Sequence, residues 1–169
     1  LGISREEQDA FAVESHRKAL EANARLLEEI TPVYLPGEMP VVKDNGPRTD
    51  QSPEVLAKLR PVFERHTGTV TAGNSSQLTD GAVALLVMSG EMAEELGYEP
   101  LGYLKAYAYS GCDPERMGLG PVFAMDRLEE LTGLGLANAD LVEVNEAFAA
   151  QVLGVLKAAK SEKFSSKVL

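Results

Sequence analysis

The chain has 169 residues, of which 44% are hydrophobic and 25% charged, the balance of one ordinary globular domain or of parts of two. Its formal net charge of −10 argues against nucleic acid or an anionic membrane as partner, because Lys and Arg are scattered among Glu. No apolar run is long enough to span a bilayer. The single cysteine excludes an internal disulfide framework and fits a reducing compartment.

The first third of the chain predicts one long helix followed by an irregular excursion. Residues 4–29 repeat apolar side chains at helical spacing, and Ser4 with Glu7 forms a capping-box signal. Residues 31–52 are rich in Pro and Gly and predict an extended surface segment. A second helix is predicted over residues 53–61, because a serine followed by proline opens it and another proline closes it.

The remainder alternates strand patterns with helix patterns. Strands are predicted at residues 69–71, 82–89, 101–109 and 140–144. Helices are predicted at residues 91–96, 121–131 and 146–160, the first of them closed by Gly97. This alternation predicts an α/β fold with a mostly parallel or mixed sheet.

Asn145 is the most informative single residue, because a buried-strand pattern stops there and a helical pattern follows at once. Ligands gather at the carboxyl ends of strands in open α/β sheets, and a helix N-terminus favours developing negative charge. An amide there could hold a water or a carbonyl oxygen in an oxyanion hole. The alternative is a plain helix cap, since Asn is among the best capping residues. Position alone favours the cap.

The other candidates are weak when considered singly. Residues 72–76 are small and polar, so a ligand could approach their backbone, but the local sequence favours an ordinary connection between a strand and a helix. Arg48 could contact an adenine or a phosphate, but a solvated loop arginine is the favoured interpretation. Cys112 has an acidic neighbour and is interpreted as inert. His16 and His66 are interpreted as solvated, and their isolation predicts no metal site.

Read together, several segments resemble the thiolase family. Residues 68–82, GTVTAGNSSQLTDGA, resemble the segment that closes the N-terminal half of thiolases. Residues 117–122, MGLGPV, are similar to the family's MGxGP segment, and residues 144–149, VNEAFA, to its NEAFA motif. Residues 2–9 and 57–63 are similar to the start of the family's loop region and to the stretch before the TVTAGN run. The segments occur in family order and span nearly the whole chain.

The resemblance implies a fold and a reaction. Thiolases have a layered αβαβα fold, only part of which this chain would represent. They cleave a 3-ketoacyl-CoA with CoA to acetyl-CoA and a shortened acyl-CoA, or run the reverse condensation, by covalent thiol catalysis with enolate stabilisation. Residues 102–104 and 161–164 resemble the fatty-acid β-oxidation branch. Coenzyme A is then a substrate, and no covalently bound cofactor or metal is expected.

The resemblance also implies roles for particular residues. Asn145 matches the catalytic asparagine whose water stabilises the enolate oxygen. The remaining matches are to residues that contact substrate or CoA. They are Ser76 and Ala72 at the pantetheine arm, Phe63 in the pantetheine site, Arg48 beside the adenine, Met117 near the thioester and Phe148 in the substrate channel. With the family in view, a functional role becomes the favoured interpretation for Asn145 and Ser76, and for Arg48 and Phe63 the two interpretations become evenly balanced.

The family's acylated cysteine, its GHP histidine and its CxGGG cysteine have no counterpart here, and Cys112 matches neither thiol. The chain is therefore expected to be an interior fragment that cannot catalyse alone. Its expected parts are the end of the loop region (1–52), the end of the N-terminal half (53–97) and the start of the C-terminal half (98–169). The intact protein is expected to be a homodimer or dimer of dimers in bacterial cytoplasm or the mitochondrial matrix. Alternatives are a non-catalytic thiolase-like acyl-CoA or lipid carrier and an interaction module without a ligand.

Overall fold

A computed structural model describes residues 1–162 and Phe164, so the predicted unit 98–169 ends outside the described residues. Six α-helices occur in this part of the chain, together with 3-10 helices at Pro114–Leu119 and Leu136–Asn138. The α-helices are α1 (Arg5–Glu21), α2 (Asn23–Leu26), α3 (Pro53–Leu56), α4 (Gly90–Leu96), α5 (Gly120–Thr132) and α6 (Ala149–Ala159). Among these described elements, no helix is both long and apolar enough to cross a membrane.

Helix α1 begins where its local sequence predicts. The Ser4 N–H donates to Glu7 Oε2 (2.7 Å) and the Glu7 N–H donates to Ser4 Oγ (3.1 Å), so both arms of the capping box form. The single helix predicted over residues 4–29 is interrupted at Ala22, after which α2 adds one short turn. The buried face of α1 is largely polar, and Gln8 and Asp9 lie on it.

Glycines end two helices in the second half of the chain, one of them at the predicted Gly97. Helix α4 ends at Gly97, which has φ 71°, and helix α5 ends at Gly133, which has φ 70°. Glycine adopts this left-handed conformation without the steric cost of a Cβ. The two helix ends are therefore determined locally.

A small core joins α5, α6 and the 3-10 helix that precedes α5. Val122, Val155 and Ala158 are nearly completely buried there, with Leu119 and Met125 packed against them. Helix α1 also packs against α6. Helix α6 therefore lies between its partners at the centre of the described helical packing.

The predicted strands do not pair with one another. Residues 1–162 contain only isolated antiparallel bridges, Val33 with Val41 and Ser75 with Phe148. The predicted core strand 82–89 is open to solvent, and its Leu85 is 79% exposed. A strand needs a neighbour to satisfy its backbone hydrogen bonds and to bury its side chains. The described residues offer no such neighbour to segments 82–89, 101–109 and 140–144, whereas segment 69–71 is hydrogen-bonded to Val62 and Asn74 without forming a strand. The strand predictions are therefore wrong for this chain taken by itself.

Two predicted helix boundaries are also wrong. Helix α3 covers only Pro53–Leu56, although residues 53–61 were expected to be helical. Helix α6 begins at Ala149 rather than directly after Asn145, because Phe148 is held extended (φ −146°, ψ 141°) in its bridge with Ser75. Tertiary hydrogen bonding thus overrides the local helical pattern over several residues, and Asn145 is not the cap of α6.

Candidate functional site

A groove of about 830 Å³ lies where α1, the Pro-rich loop and the start of α6 meet. Residues 45–48 and Gln51 form its loop side, and residues 72–77 form its floor. Helix α1 contributes a wall of Phe11, Ala12, Ser15, His16 and Ala19. Asn145 and Glu146 line the remaining side, so segments far apart in sequence share one cavity.

The floor of the groove is a tight turn built by its own side chains. The Thr71 N–H donates to Asn74 Oδ1 (2.8 Å), and the Ser75 hydroxyl donates to the Thr71 carbonyl oxygen (2.6 Å). A Cβ at Gly73 would meet the ends of the Leu56 and Leu59 side chains, so glycine lets the turn pack against α3 without displacing them. As a result Ala72 and Ser76 stand exposed at the groove surface.

A buried polar network beneath the turn ties it to α1. Asn74 Nδ2 donates to Asp9 Oδ1 (2.9 Å) and to the Thr69 carbonyl oxygen (3.1 Å). Asp9 also pairs with Arg5, whose Nε lies 2.8 Å from Asp9 Oδ2, while Arg5 Nη2 donates to the Leu56 carbonyl oxygen (2.6 Å). Asp9 is 4% and Asn74 3% exposed, so this is an interior charge that is fully hydrogen-bonded.

Sequence reasoning missed that network. Arg5 and Asp9 read as the polar face of an amphipathic helix, and their turn partner lies 65 positions further along the chain. The signal that could have indicated this network is the TVTAGN run of residues 69–74, in which a turn of small residues ends in the side-chain amide of Asn74.

The same turn fixes the segment that carries Asn145. The Ser76 N–H donates to the Ala147 carbonyl oxygen (2.9 Å), and the Ala149 N–H donates to the Asn74 carbonyl oxygen (3.0 Å). Ser15 of α1 donates its hydroxyl to the Glu146 carboxylate at the groove wall. These contacts bring the exposed Asn145 amide to the cavity that Ser76 also lines.

His16 is not the simple solvated residue that the sequence suggested. Its Nδ1 accepts a hydrogen bond from the Arg48 backbone N–H (3.1 Å), which latches the loop to α1. Partial burial lowers the pKa of His16 below its ordinary value of 6.5, and the Arg48 charge lowers it further. The carboxylates of Asp50 and Glu146 act in the opposite direction. The neutral imidazole is the form that accepts the bond.

The hydrogen bond from the Arg48 N–H to His16 Nδ1, here called the latch, predicts that the attachment of the loop to α1 depends on pH. In the folded protein the pKa of His16 lies below 6.5. The latch is therefore fully formed above pH 6.5, and it is lost as the pH falls through the pKa of His16 in the folded protein. We expect the exchange protection of the Arg48 amide, corrected for intrinsic rates, to fall about 2- to 10-fold on acidification, the worth of one hydrogen bond. Hydrogen exchange by mass spectrometry over residues 45–51 measures it.

The His16→Gln variant is the matched control, because an amide oxygen accepts the same bond without titrating near neutral pH. Its protection should stay flat between pH 5 and pH 7.5, a range set by the ordinary histidine pKa of ~6.5. Equal pH dependence in both proteins would contradict the latch.

The remaining candidates lie away from the groove lining. The rings of Phe63 and Phe148 contact each other edge to face, with centroids 6.4 Å apart. Met117 lies on the 3-10 helix Pro114–Leu119 and is 68% exposed. Cys112 is half-buried and does not line the groove, and His66 is exposed as predicted. The structure therefore gathers Arg48, Ala72, Ser76 and Asn145 at one cavity and leaves Phe63, Phe148 and Met117 beside or outside it.

An amide, a serine and an arginine thus surround a small-residue turn. Comparison with known proteins identifies the family to which this arrangement belongs. The model of the thiolase N-terminal domain matches residues 1–91, and that of the thiolase C-terminal domain matches residues 98–168. The chain belongs to the thiolase family.

Individual relatives agree with this family. An acetyl-CoA acetyltransferase of Chromobacterium violaceum is 47% identical over 92% of this chain and 41% of its own length. A 3-ketoacyl-CoA thiolase of Escherichia coli is 44% identical over 99% of this chain and 39% of its own length. The chain thus spans about two-fifths of the curated relatives it matches.

Solved structures place the described elements within the thiolase fold. The crystal structure of the Bacillus anthracis acetyl-CoA acetyltransferase superposes with a TM-score of 0.87 at 43% identity, covering 95% of this chain and 42% of that one. The acetyl-CoA acetyltransferase of Syntrophomonas wolfei gives a TM-score of 0.83 at 38% identity, covering 97% and 42%. The predicted fold class, a partly represented thiolase-like αβαβα fold, is confirmed, although residues 1–162 form no sheet of their own.

Proposed function

We propose that this chain is part of an acyl-CoA C-acyltransferase that cleaves a 3-ketoacyl-CoA with CoA, or condenses two acyl-CoA molecules in reverse. The observation that carries the proposal is the groove at which Arg48, Ala72, Ser76 and Asn145 meet. A cavity of about 830 Å³ is the size of an ordinary ligand pocket. The acetyl-CoA acetyltransferase and the 3-ketoacyl-CoA thiolase that this chain resembles are named as enzymes, and no observation favours a non-catalytic carrier.

The groove offers each part of a CoA thioester a chemically suitable contact. Arg48, at the loop side, can pair with a phosphate or stack on the adenine. The exposed turn at Ala72 leaves room for a pantetheine arm, and the Ser76 hydroxyl, now 3.3 Å from the Gln77 carbonyl oxygen, can exchange that weak bond for an amide of the arm. CoA is thus a substrate of the proposed enzyme.

Asn145 stabilises the negative charge that develops during carbon–carbon bond cleavage. When the α–β bond of the 3-ketoacyl thioester breaks, electrons pass to the thioester oxygen and form an enolate. An amide N–H, directly or through an ordered water, stabilises that oxygen in a preorganised site. The thiols that accept the acyl group and move the α-proton are assigned to other parts of the protein, because Cys112 does not line the groove.

The assembly and location follow the same proposal. A homodimer or dimer of dimers would cover the apolar faces that this chain exposes. Bacterial cytoplasm or mitochondrial matrix suits a chain with one cysteine, since both compartments are reducing.

Calorimetric titration of the full-length protein with CoA tests the proposal. The Ser76→Ala variant should raise the Kd for CoA by about 2- to 12-fold, the worth of one hydrogen bond. Ser110→Ala is the matched control, because Ser110 also donates a long bond to the next carbonyl oxygen (3.2 Å) but lies outside the groove. Absence of CoA binding by the unaltered protein would overturn the proposal.

A further inference from the structure

Asn74 uses every polar group it has to connect separate parts of the site. Its Oδ1 accepts from the Thr71 N–H, while its Nδ2 donates to Asp9 of α1 and to the Thr69 carbonyl oxygen. Its own carbonyl oxygen accepts the first N–H of α6, from Ala149. One buried side chain and its backbone thus join α1, the groove turn and the start of α6.

Both groove residues with proposed functions depend on these contacts. Ser76 lies two residues after Asn74, and its N–H is bonded to the Ala147 carbonyl oxygen. Asn145 lies two residues before that same carbonyl. A displacement of Asn74 therefore moves Ser76 and the Asn145 segment relative to each other, without either residue being altered.

The pairing with Asp9 sets the orientation of the Asn74 amide. Asp9 is anchored by the Arg5 guanidinium, which itself donates to the Leu56 carbonyl oxygen. With a carboxylate on one side and a carbonyl oxygen on the other, only an NH₂ group satisfies the position. The amide oxygen must then face the Thr71 N–H, and the turn closes in one register.

We propose that Asn74, oriented by Asp9, is a positioning residue that fixes the spacing between Ser76 and Asn145 for acyl transfer. It touches neither substrate nor reacting atoms, and it acts through the turn and the α6 start. This inference rests on the proposed function. A shift of about 1 Å in such a spacing can lower a rate by about 10²-fold.

The decisive variant in the full-length protein is Asn74→Asp. It keeps shape and the acceptor for Thr71 but sets a second carboxylate oxygen against Asp9 and the Thr69 carbonyl oxygen. We expect kcat/KM for thiolysis to fall by about 10²-fold, with both a lower kcat, through Asn145, and a higher KM for CoA, through Ser76. Asp9→Asn alone, which removes the Arg5 partner but not the Asn74 acceptor, should cause a smaller loss in both.

The exchanged pair Asp9→Asn with Asn74→Asp returns an amide donor and a carboxylate acceptor to the same contact. The kcat/KM of this double variant should be at least about tenfold higher than that of Asn74→Asp alone. Independent sites do not show such coupling. Val155→Ala is the control for general destabilisation, because Val155 is 2% exposed in the α5–α6 core and away from the groove. It should lower Tm and leave kcat and KM unchanged at temperatures well below Tm.

Each result decides the matter. Unchanged kinetics in Asn74→Asp, or no recovery in the exchanged pair, would overturn the positioning role. A loss of kcat/KM in Asn74→Asp that is no larger than the loss in Val155→Ala at the same decrease in Tm would overturn it as well. If Asn74→Asp does not fold, the Asp9→Asn kinetics decide the same question. An unaltered protein that binds no CoA and cleaves no 3-ketoacyl-CoA would instead remove the proposed function, and this inference with it.

Discussion

Replacing Asn145 by Ala in the full-length protein is expected to lower kcat for cleavage and condensation by about 10²- to 10³-fold, the effect of losing one oxyanion-hole donor. The Kd for CoA should change by less than about twofold, because the loss falls on charge that exists only near the transition state. Steady-state kinetics with a 3-ketoacyl-CoA and CoA, combined with calorimetric titration, separate the two quantities.

The exposed position of Asn145 makes this a clean experiment. Its side chain is not part of the buried network, so the substitution should leave Tm nearly unchanged. Asn23→Ala, at an exposed asparagine on α2 outside the groove, controls for loss of a surface amide. Equal kcat in the Asn145 variant and the unaltered protein would remove the role assigned to this residue.

A polypeptide of these 169 residues alone is expected to self-associate and to show no turnover. Its predicted strands carry unpaired backbone groups beside exposed apolar side chains, such as Leu85 (79%), Leu104 (84%) and Leu141 (89%). Unpaired strand edges and contiguous apolar surface promote association with other chains. Light scattering after gel filtration should therefore give a mass above 18.2 kDa, with strong binding of a hydrophobic dye.

A matched pair of variants tests the cause. Leu85→Lys places a charge in the middle of the apolar segment 82–89 and should reduce the associated fraction severalfold, by the gatekeeper effect of a charge. Leu20→Lys, on the exposed side of α1, should not. A monodisperse 18.2 kDa species with weak dye binding would contradict the expectation.

The sequence predicted the features that depend on neighbouring residues. The Ser4–Glu7 capping box forms as its spacing indicates, and Gly97 ends α4 in the left-handed conformation. These predictions succeed because capping and left-handed glycine involve atoms only a few positions apart. The resemblance of short motifs likewise indicated the family without any knowledge of packing.

The sequence was less informative about the candidate site. It singled out Arg48, Ser76 and Asn145, which do line one groove, but it took His16 for a solvated residue although the imidazole holds the loop. The difference is physical, because the environment of His16 is created by a loop more than thirty positions away, Arg48 being 32 residues further on. A hydrogen bond between such distant residues leaves no periodic signal.

By itself the sequence determined where most helices form, the capping box of α1, the glycine end of α4 and the family to which the chain belongs. Only the tertiary structure decided that α6 begins as late as Ala149 and that Asp9 accepts a hydrogen bond from Asn74. It also decided that the predicted strands do not pair with one another. The reason is the range of the interactions involved. Helix caps are satisfied within a few residues, whereas a bridge, a buried ion network or a sheet exists only when distant segments supply the missing hydrogen-bond partners.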